Sequence, residues 1–283
     1  MTGKRHSPEN FEGCRVVITG VASGIGLALA ERFGRAGARI GMLDMNRDAL
    51  AREADRLAAG GIPVARSACD VSRREECVRA VETVAESLGG VDVLINNAGI
   101  TARDSFARTD AAVFERVMAV NFFGSLYCTQ AALRHLLASR GQIVVIESLA
   151  GVTPLLGRPA YCASKHALHG LFTTLRAEVR HLGVHVMIVC PGFVATNLQK
   201  RALGGDGRVT DRPQSRVGGQ TTAAAVADDI FRAAGRRRPL LILTPVGKLA
   251  YWVSRLAPVA YERMMARRLA VELDPFPDGG DDR

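Results

Sequence analysis

Arg15-Val16-Val17-Ile18-Thr19-Gly20-Val21-Ala22-Ser23-Gly24-Ile25-Gly26 decides the fold. Its first five residues form a short β-branched run, the composition of a buried strand. Glycines at 20, 24 and 26 follow, and Leu27, Ala30, Phe33 and Ala36 then recur at helical spacing. Strand, glycine turn and helix in succession let the backbone turn tightly and approach a pyrophosphate. The helix N-terminus then stabilises the negative charge. Gly20, Ser23, Gly24, Ile25 and Gly26 are the contacts this predicts.

The alternation continues outward. Further strands are predicted at Arg39–Leu43, Val64–Ala68, Val91–Ile95, Gln142–Ile146, His185–Val189 and Leu240–Leu243, with helical stretches between them. Near-continuous apolar strands separated by helices predict an α/β fold, a doubly wound parallel sheet covered on both faces. Ligands of such sheets sit at the carboxyl ends of the strands. Asp44 ends the second strand, where a carboxylate can accept hydrogen bonds from ribose hydroxyls; its alternative role is a helix cap or turn residue. Asp70 with Val71 follows the third strand, and Asn96-Asn97-Ala98-Gly99 the fourth. Amide and small residues in register there suit the wall of an adenine and ribose cleft, though any one of them alone reads as turn chemistry.

Hydrophobic residues make up 48% of the 283 and charged ones 23%, which permits one large core. The formal charge of +9 is spread along the chain without a basic run interleaved with aromatics. Attraction for an anionic cofactor is the expectation, and nucleic acid is not. Cys14, Cys69, Cys77, Cys128, Cys162 and Cys190 contain no Cys-x-x-Cys pair, which points to reduced thiols and no zinc site. Residues 1–11 read as a polar tail without the apolar core of a signal peptide, and no stretch is long enough to span a bilayer. A cytoplasmic protein is expected.

Tyr161 and Lys165 lie one helical turn apart, so a phenol and an ammonium share a face. An ammonium favours the phenolate and brings tyrosine toward acid-base use. The pair is weak by itself and gains meaning from the motifs upstream.

Taken together, Thr19-Gly20-x-x-x-Gly24-x-Gly26, Asp70, Asn96-Asn97-Ala98-Gly99, Asn121, Ser148, Tyr161-x-x-x-Lys165 and Pro191-Gly192 with Thr196 resemble the short-chain dehydrogenase/reductase family. The resemblance covers roughly residues 12–245. It implies that Ser148 polarises a substrate oxygen and that Tyr161 exchanges its proton. Lys165 would hold the nicotinamide ribose and lower the Tyr161 pKa, and Asn121 would keep a water behind Lys165. Pro191, Gly192, Val194 and Thr196 would meet the nicotinamide side. NAD is the expected cofactor, because Asp44 would repel a 2′-phosphate; Arg47 nearby leaves NADP open. Homodimers or homotetramers are expected from the family. Glu147 departs from the small polar residue common before the serine: it is either a solvated or hydrogen-bonded strand-end residue or a device that tunes the active-site charge.

Residues 196–220 are expected to form a mobile substrate loop, with Gly204-Gly205 and Gly218-Gly219 as hinges. Residues 246–273 read as a basic amphipathic segment, split at Pro258, with Leu249, Trp252, Val253, Leu256, Ala260 and Met264 on one face. Such a segment can cover a lipophilic pocket, rest on a membrane, pair with a subunit or pack on the core. The resemblance is to family members acting on steroids, retinoids or long-chain keto-lipids. The expected substrate is a lipophilic secondary alcohol or ketone; NADP-dependent reduction of a keto-lipid or 3-ketoacyl group and a non-catalytic NAD-binding regulator are the alternatives. Residues 274–283 read as an acidic disordered tail.

Overall fold

The computed structural model describes residues 11–211 and 219–269; the segment 212–218 and both termini, with the expected acidic tail and Gly218, lie outside them. Among the described residues nine strands occur in the order β1 (Arg15–Thr19), β2 (Arg39–Asp44), β3 (Val64–Ala68), β4 (Val93–Asn96), β5 (Gln142–Ile146), β6 (His185–Cys190), β7 (Val194–Ala195), β8 (Thr221–Thr222) and β9 (Leu240–Ile242). The helices are α1 (Gly24–Gly34), α2 (Arg47–Ala59), α3 (Arg74–Leu88), α4 (Ala111–Met118), α5 (Gly124–Ser139), α6 (Pro159–Val179), α7 (Ala223–Gly235), α8 (Pro245–Leu256) and α9 (Pro258–Leu269). Seven strands form one parallel sheet in the order β3-β2-β1-β4-β5-β6-β9. The order reverses between β1 and β4, which opens a crevice at their carboxyl ends.

Alternate side chains along each strand feed opposite layers. Val16 and Ile18 join α1, α2 and α7 on one face, while Val17 joins α3, α5 and α6 on the other. Burial on both faces explains why these strands read as continuous apolar runs. Phe11, assigned to the polar tail on sequence grounds, is instead buried against Phe33 and Phe231, with ring centroids 4.8 and 5.0 Å away. The fold therefore begins one residue earlier than its sequence pattern indicates.

The expected hinge at Gly204-Gly205 is corrected as well. Leu203 accepts from the Arg103 N–H at 2.7 Å and donates to the Thr101 carbonyl at 2.9 Å. A Cβ on Gly205 would collide with the Arg108 carbonyl. Ala202 and Leu203 are buried, so this part of the loop is docked. Close backbone approach, not a need to pivot, explains the glycine.

Pro258 does split the C-terminal segment into two helices. Tyr261, Met265 and Leu269 form the face that packs, against Leu155, Leu156, Ala250 and Val253. Leu249, Trp252 and Leu256, placed on the apolar stripe, are 66%, 59% and 79% exposed. Among the described residues, no helix is long and apolar enough to cross a membrane.

Candidate active site

The glycine turn is built by mutual fit. Gly20 has φ +64°, in the left-handed region, and a Cβ there would lie 2.8 Å from Ala98 Cα. Gly26 lies where a Cβ would meet the Gly20 carbonyl and Asn97 Nδ2. Asn97 Nδ2 donates to the carbonyls of Thr19 and Gly20 at 2.9 and 3.0 Å. Thr19 Oγ1 accepts from the N–H groups of Asn97 and Ala98, both at 3.0 Å. These bonds tie the end of β4 to the end of β1 and aim the α1 N-terminus at the crevice. Ser23, the N-cap of α1, makes no side-chain cap, which leaves that terminus suited to an anionic ligand.

Asp44 takes the turn role expected of it. Its Oδ2 accepts from the Ala22 N–H at 3.0 Å and its Oδ1 from the Asn46 N–H at 2.9 Å. It thus shapes the turn while bordering the cavity. Asp70 Oδ1 accepts from both the N–H and the hydroxyl of Ser72, at 3.0 and 2.7 Å. Asn96 stands apart from the crevice, buried, with Nδ2 donating to Thr129 Oγ1 at 2.8 Å.

One cavity of about 660 Å3 runs along the carboxyl ends of the strands, a size ordinary for ligand sites. Every expected cofactor residue borders it except Gly26, which supports the turn from behind. That includes Ile25 and Val71, Ala98 and Gly99, and Pro191, Gly192, Val194 and Thr196 beyond β6. The left-handed Gly20, the uncapped α1 terminus and the carboxylate of Asp44 fit a dinucleotide with its pyrophosphate at the turn. Among the described residues no cluster is suited to hold a metal ion.

Ser148, Tyr161 and Lys165 converge on the same cavity. Ser148 follows β5 and its Oγ accepts from the Ala150 N–H at 3.1 Å. Pro159 opens α6, whose buried face carries Tyr161, Ser164, Lys165, Leu168 and Phe172 at helical spacing. Lys165 Nζ donates to the Ile146 carbonyl at 2.9 Å and lies 5.7 Å from the centroid of the Tyr161 ring. Burial pushes the Tyr161 phenol up to about 12, and its hydrogen bond with Ser148 acts the other way. Lys165 is itself brought down to about 8 by burial. The expectation that Lys165 draws the phenol toward neutrality is therefore not met in the protein alone, where desolvation is the largest influence on Tyr161.

Asn121 lies behind the cavity wall, in a π-helical stretch, Ala119–Phe123, between α4 and α5. The bulge turns it inward and buries it fully. Its Oδ1 accepts from the Ile100 N–H and its Nδ2 donates to the Ile100 carbonyl and to Ser164 Oγ.

Arg158 lay beyond sequence reasoning, and Glu147 was legible only as open alternatives. Arg158, the N-cap of α6, is buried, borders the cavity and favours the Tyr161 phenolate electrostatically. Glu147, expected to be either solvated or hydrogen-bonded at the strand end, is the latter: its side chain is fully buried and its Oε2 accepts from Cys190 Sγ. An Arg before a Pro or a Glu at a strand end carries no local signal, because its burial depends on distant elements.

The fold and this constellation define an oxidoreductase of the Rossmann class. A family profile described as short chain dehydrogenase matches residues 15–205, and the chain belongs to the short-chain dehydrogenase/reductase family. It is 36% identical over 265 residues to the dehydrogenase/reductase SDR family member 7B of Bos taurus, covering 91% of this chain and 82% of that one. It is 33% identical to a dehydrogenase/reductase SDR family protein 7-like of Anopheles gambiae, over 95% and 87% of the two chains. A crystal structure of a short chain dehydrogenase/reductase from Burkholderia phymatum in complex with NAD superposes with a TM-score of 0.76. That match has 26% identity and covers 94% of this chain and 97% of the other.

Proposed function

We propose that the chain is an NAD-preferring dehydrogenase/reductase of lipophilic secondary alcohols and ketones. The observation that carries this reading is one continuous cavity with two chemically different ends. At one end lie the glycine turn and Asp44; at the other, Leu155, Leu249, Val253, Tyr261 and Met264 surround the approach to Ser148 and Tyr161.

The nicotinamide cofactor supplies hydride-transfer chemistry when bound. The turn and the α1 N-terminus hold its pyrophosphate, Asp44 accepts from the adenosine ribose hydroxyls, and Lys165 donates to the nicotinamide ribose. Asp70, Val71, Ala98 and Gly99 line the adenine end, while Pro191, Gly192, Val194 and Thr196 border the nicotinamide end. Ser148 donates a hydrogen bond to the substrate oxygen, and Tyr161 gives that oxygen a proton in reduction or takes it in oxidation. Two hydroxyl donors aimed at an oxygen that gains negative charge stabilise it most as the charge develops. Asn121 holds the loop that carries Gly99 and Ile100 against α6, with a water behind Lys165 as its further role.

An NADP-dependent keto-lipid or 3-ketoacyl reductase is the second reading, supported by the exposed Arg47 at the start of α2 beside Asp44. The family's dimeric or tetrameric assembly and a cytoplasmic, membrane-peripheral location complete the proposal. A panel of steroids, retinoids, keto-lipids and small alcohols, followed by NADH absorbance, tests it. Turnover confined to small polar alcohols would overturn the lipophilic class. NAD binding without turnover of any substrate would favour a regulator.

A further inference from the structure

Glu147 lies immediately before Ser148, at the end of β5, with its side chain fully buried. Its backbone is fixed, since its N–H donates to the Val189 carbonyl at 2.8 Å. The carboxyl is gripped from two elements. His169 Nδ1 lies 3.2 Å from Oε1 and 3.4 Å from Oε2, with good hydrogen-bond alignment only at Oε2. Cys190 Sγ donates to Oε2 at 3.3 Å. Gly151 closes the third side, where any Cβ would collide with Oε1. This is a built enclosure for a carboxyl group, and the mechanism derived above leaves it without a task.

Tyr161, Lys165 and His169 stand at i, i+4 and i+8, so α6 presents them as a ladder to the end of β5. Lys165 Nζ binds the carbonyl of Ile146, the residue before Glu147. We propose that Glu147 is a positioning residue whose buried carboxylate, held by His169 and Cys190, is the counter-charge that keeps Lys165 an ammonium against the cofactor ribose. The proposal rests on the dehydrogenase reading of the site. Other ionisable groups acting on the cluster are Arg158 and Tyr161 at the start of α6, Cys190 from β6 and Arg255 from α8. The Arg255 guanidinium lies 4.5 Å from the Tyr251 ring centroid and acts electrostatically on Cys190. Burial and the neighbouring carboxyl hold the Cys190 thiol protonated, as its donor role requires. Burial drives Lys165 down to about 8, and Glu147 is the leading influence in the opposite direction. An uncompensated ammonium in this interior would lose its proton near neutral pH, and with it a donor to the ribose.

The test measures NADH affinity by cofactor fluorescence from pH 6 to 10 for the wild type, Glu147→Gln, Glu147→Asp and His169→Ala. The kcat/KM profile of any substrate that turns over is measured alongside. In Glu147→Gln the high-pH limb of both profiles should move down by about one unit, a tenfold loss on that limb, with near wild-type values at pH 6. Glu147→Asp should restore part of the shift. His169→Ala should reproduce it in weaker form, because the Glu147 carboxyl then loses a side chain that holds it in place. Should Glu147→Gln not melt cooperatively, the other two variants carry the comparison. An unmoved limb, or a loss by the same factor at every pH, overturns the proposal. Absence of turnover in the wild type counts against the dehydrogenase reading alone, since the NADH titration needs none.

Discussion

Asn121 and Ile100 exchange two hydrogen bonds, the Ile100 N–H donating to Oδ1 at 2.8 Å and Nδ2 donating to the Ile100 carbonyl at 3.0 Å. Nδ2 also donates to Ser164 Oγ at 2.9 Å. One buried amide thus joins the β4 loop to α6, which carries Tyr161 and Lys165. Asn121→Ala would strand buried groups at a cost of about 1–3 kcal/mol each. The expected result is a clearly lowered Tm together with reduced kcat, read by thermal melting and steady-state kinetics. An unchanged Tm would remove the clamp role.

Tyr161→Phe should lower kcat by about 10² to 10⁴-fold while NADH affinity stays within about twofold of the wild type, since only the exchanging hydroxyl is lost. Fluorescence titration and turnover on the same preparation separate the two. A near-normal kcat would discard Tyr161 as the proton-exchanging group.

Lys165 makes a signed prediction about stability. Its folded pKa of about 8 lies below the ordinary lysine value of 10.5, so between those values the unfolded chain binds more protons. Stability then rises with pH across that window. Below about pH 8 both states carry the ammonium and the full burial cost remains. In cofactor-free protein, the wild-type Tm relative to Lys165→Met should climb from about pH 8 toward 10. A flat difference would show that Lys165 is not desolvated.

Much of this site was legible in the sequence because local chemistry dictated it. Gly20 needs a left-handed turn, β1 needs two buried faces, and Tyr161 with Lys165 need only a helix. Sequence reasoning stopped short, or failed, where a distant element decides the environment. Glu147 is enclosed by His169 on α6 and Cys190 on β6, partners 22 and 43 positions away. Gly205 looked like a hinge because glycine is permissive, yet its lack of a side chain admits the Arg108 carbonyl. The stripe through Leu249 and Trp252 has helical periodicity, but periodicity cannot tell which face meets the core.

Asp44 predicts cofactor choice. Asp44→Ala should narrow the difference in Kd between NAD and NADP, measured by isothermal titration. It should also lower Tm, because the Ala22 and Asn46 N–H groups lose their acceptor. Tighter binding of NADP than NAD by the wild type would overturn the preference.

The last prediction concerns α8 and α9. Val246, Leu249, Trp252, Leu256 and Val259 are exposed on these helices, and Val246, Leu249 and Met264 also border the cavity. Lys248, Arg255, Arg263 and Arg267 lie on the same two helices. An apolar patch flanked by cations favours an anionic lipid surface and would bring the cavity mouth against it. Removing the whole segment would also unpack Tyr261, Met265 and Leu269, so a surface variant is the cleaner probe. Combining Leu249→Ser, Trp252→Ser and Leu256→Ser should leave Tm nearly unchanged, since exposed substitutions cost about 0.5 kcal/mol or less each. It should abolish co-sedimentation with phosphatidylserine-containing vesicles at low salt and raise KM for long-chain substrates more than for short ones. Wild-type protein that stays in the supernatant at low salt would refute membrane contact. A large fall in Tm would show instead that these side chains are covered by another part of the protein.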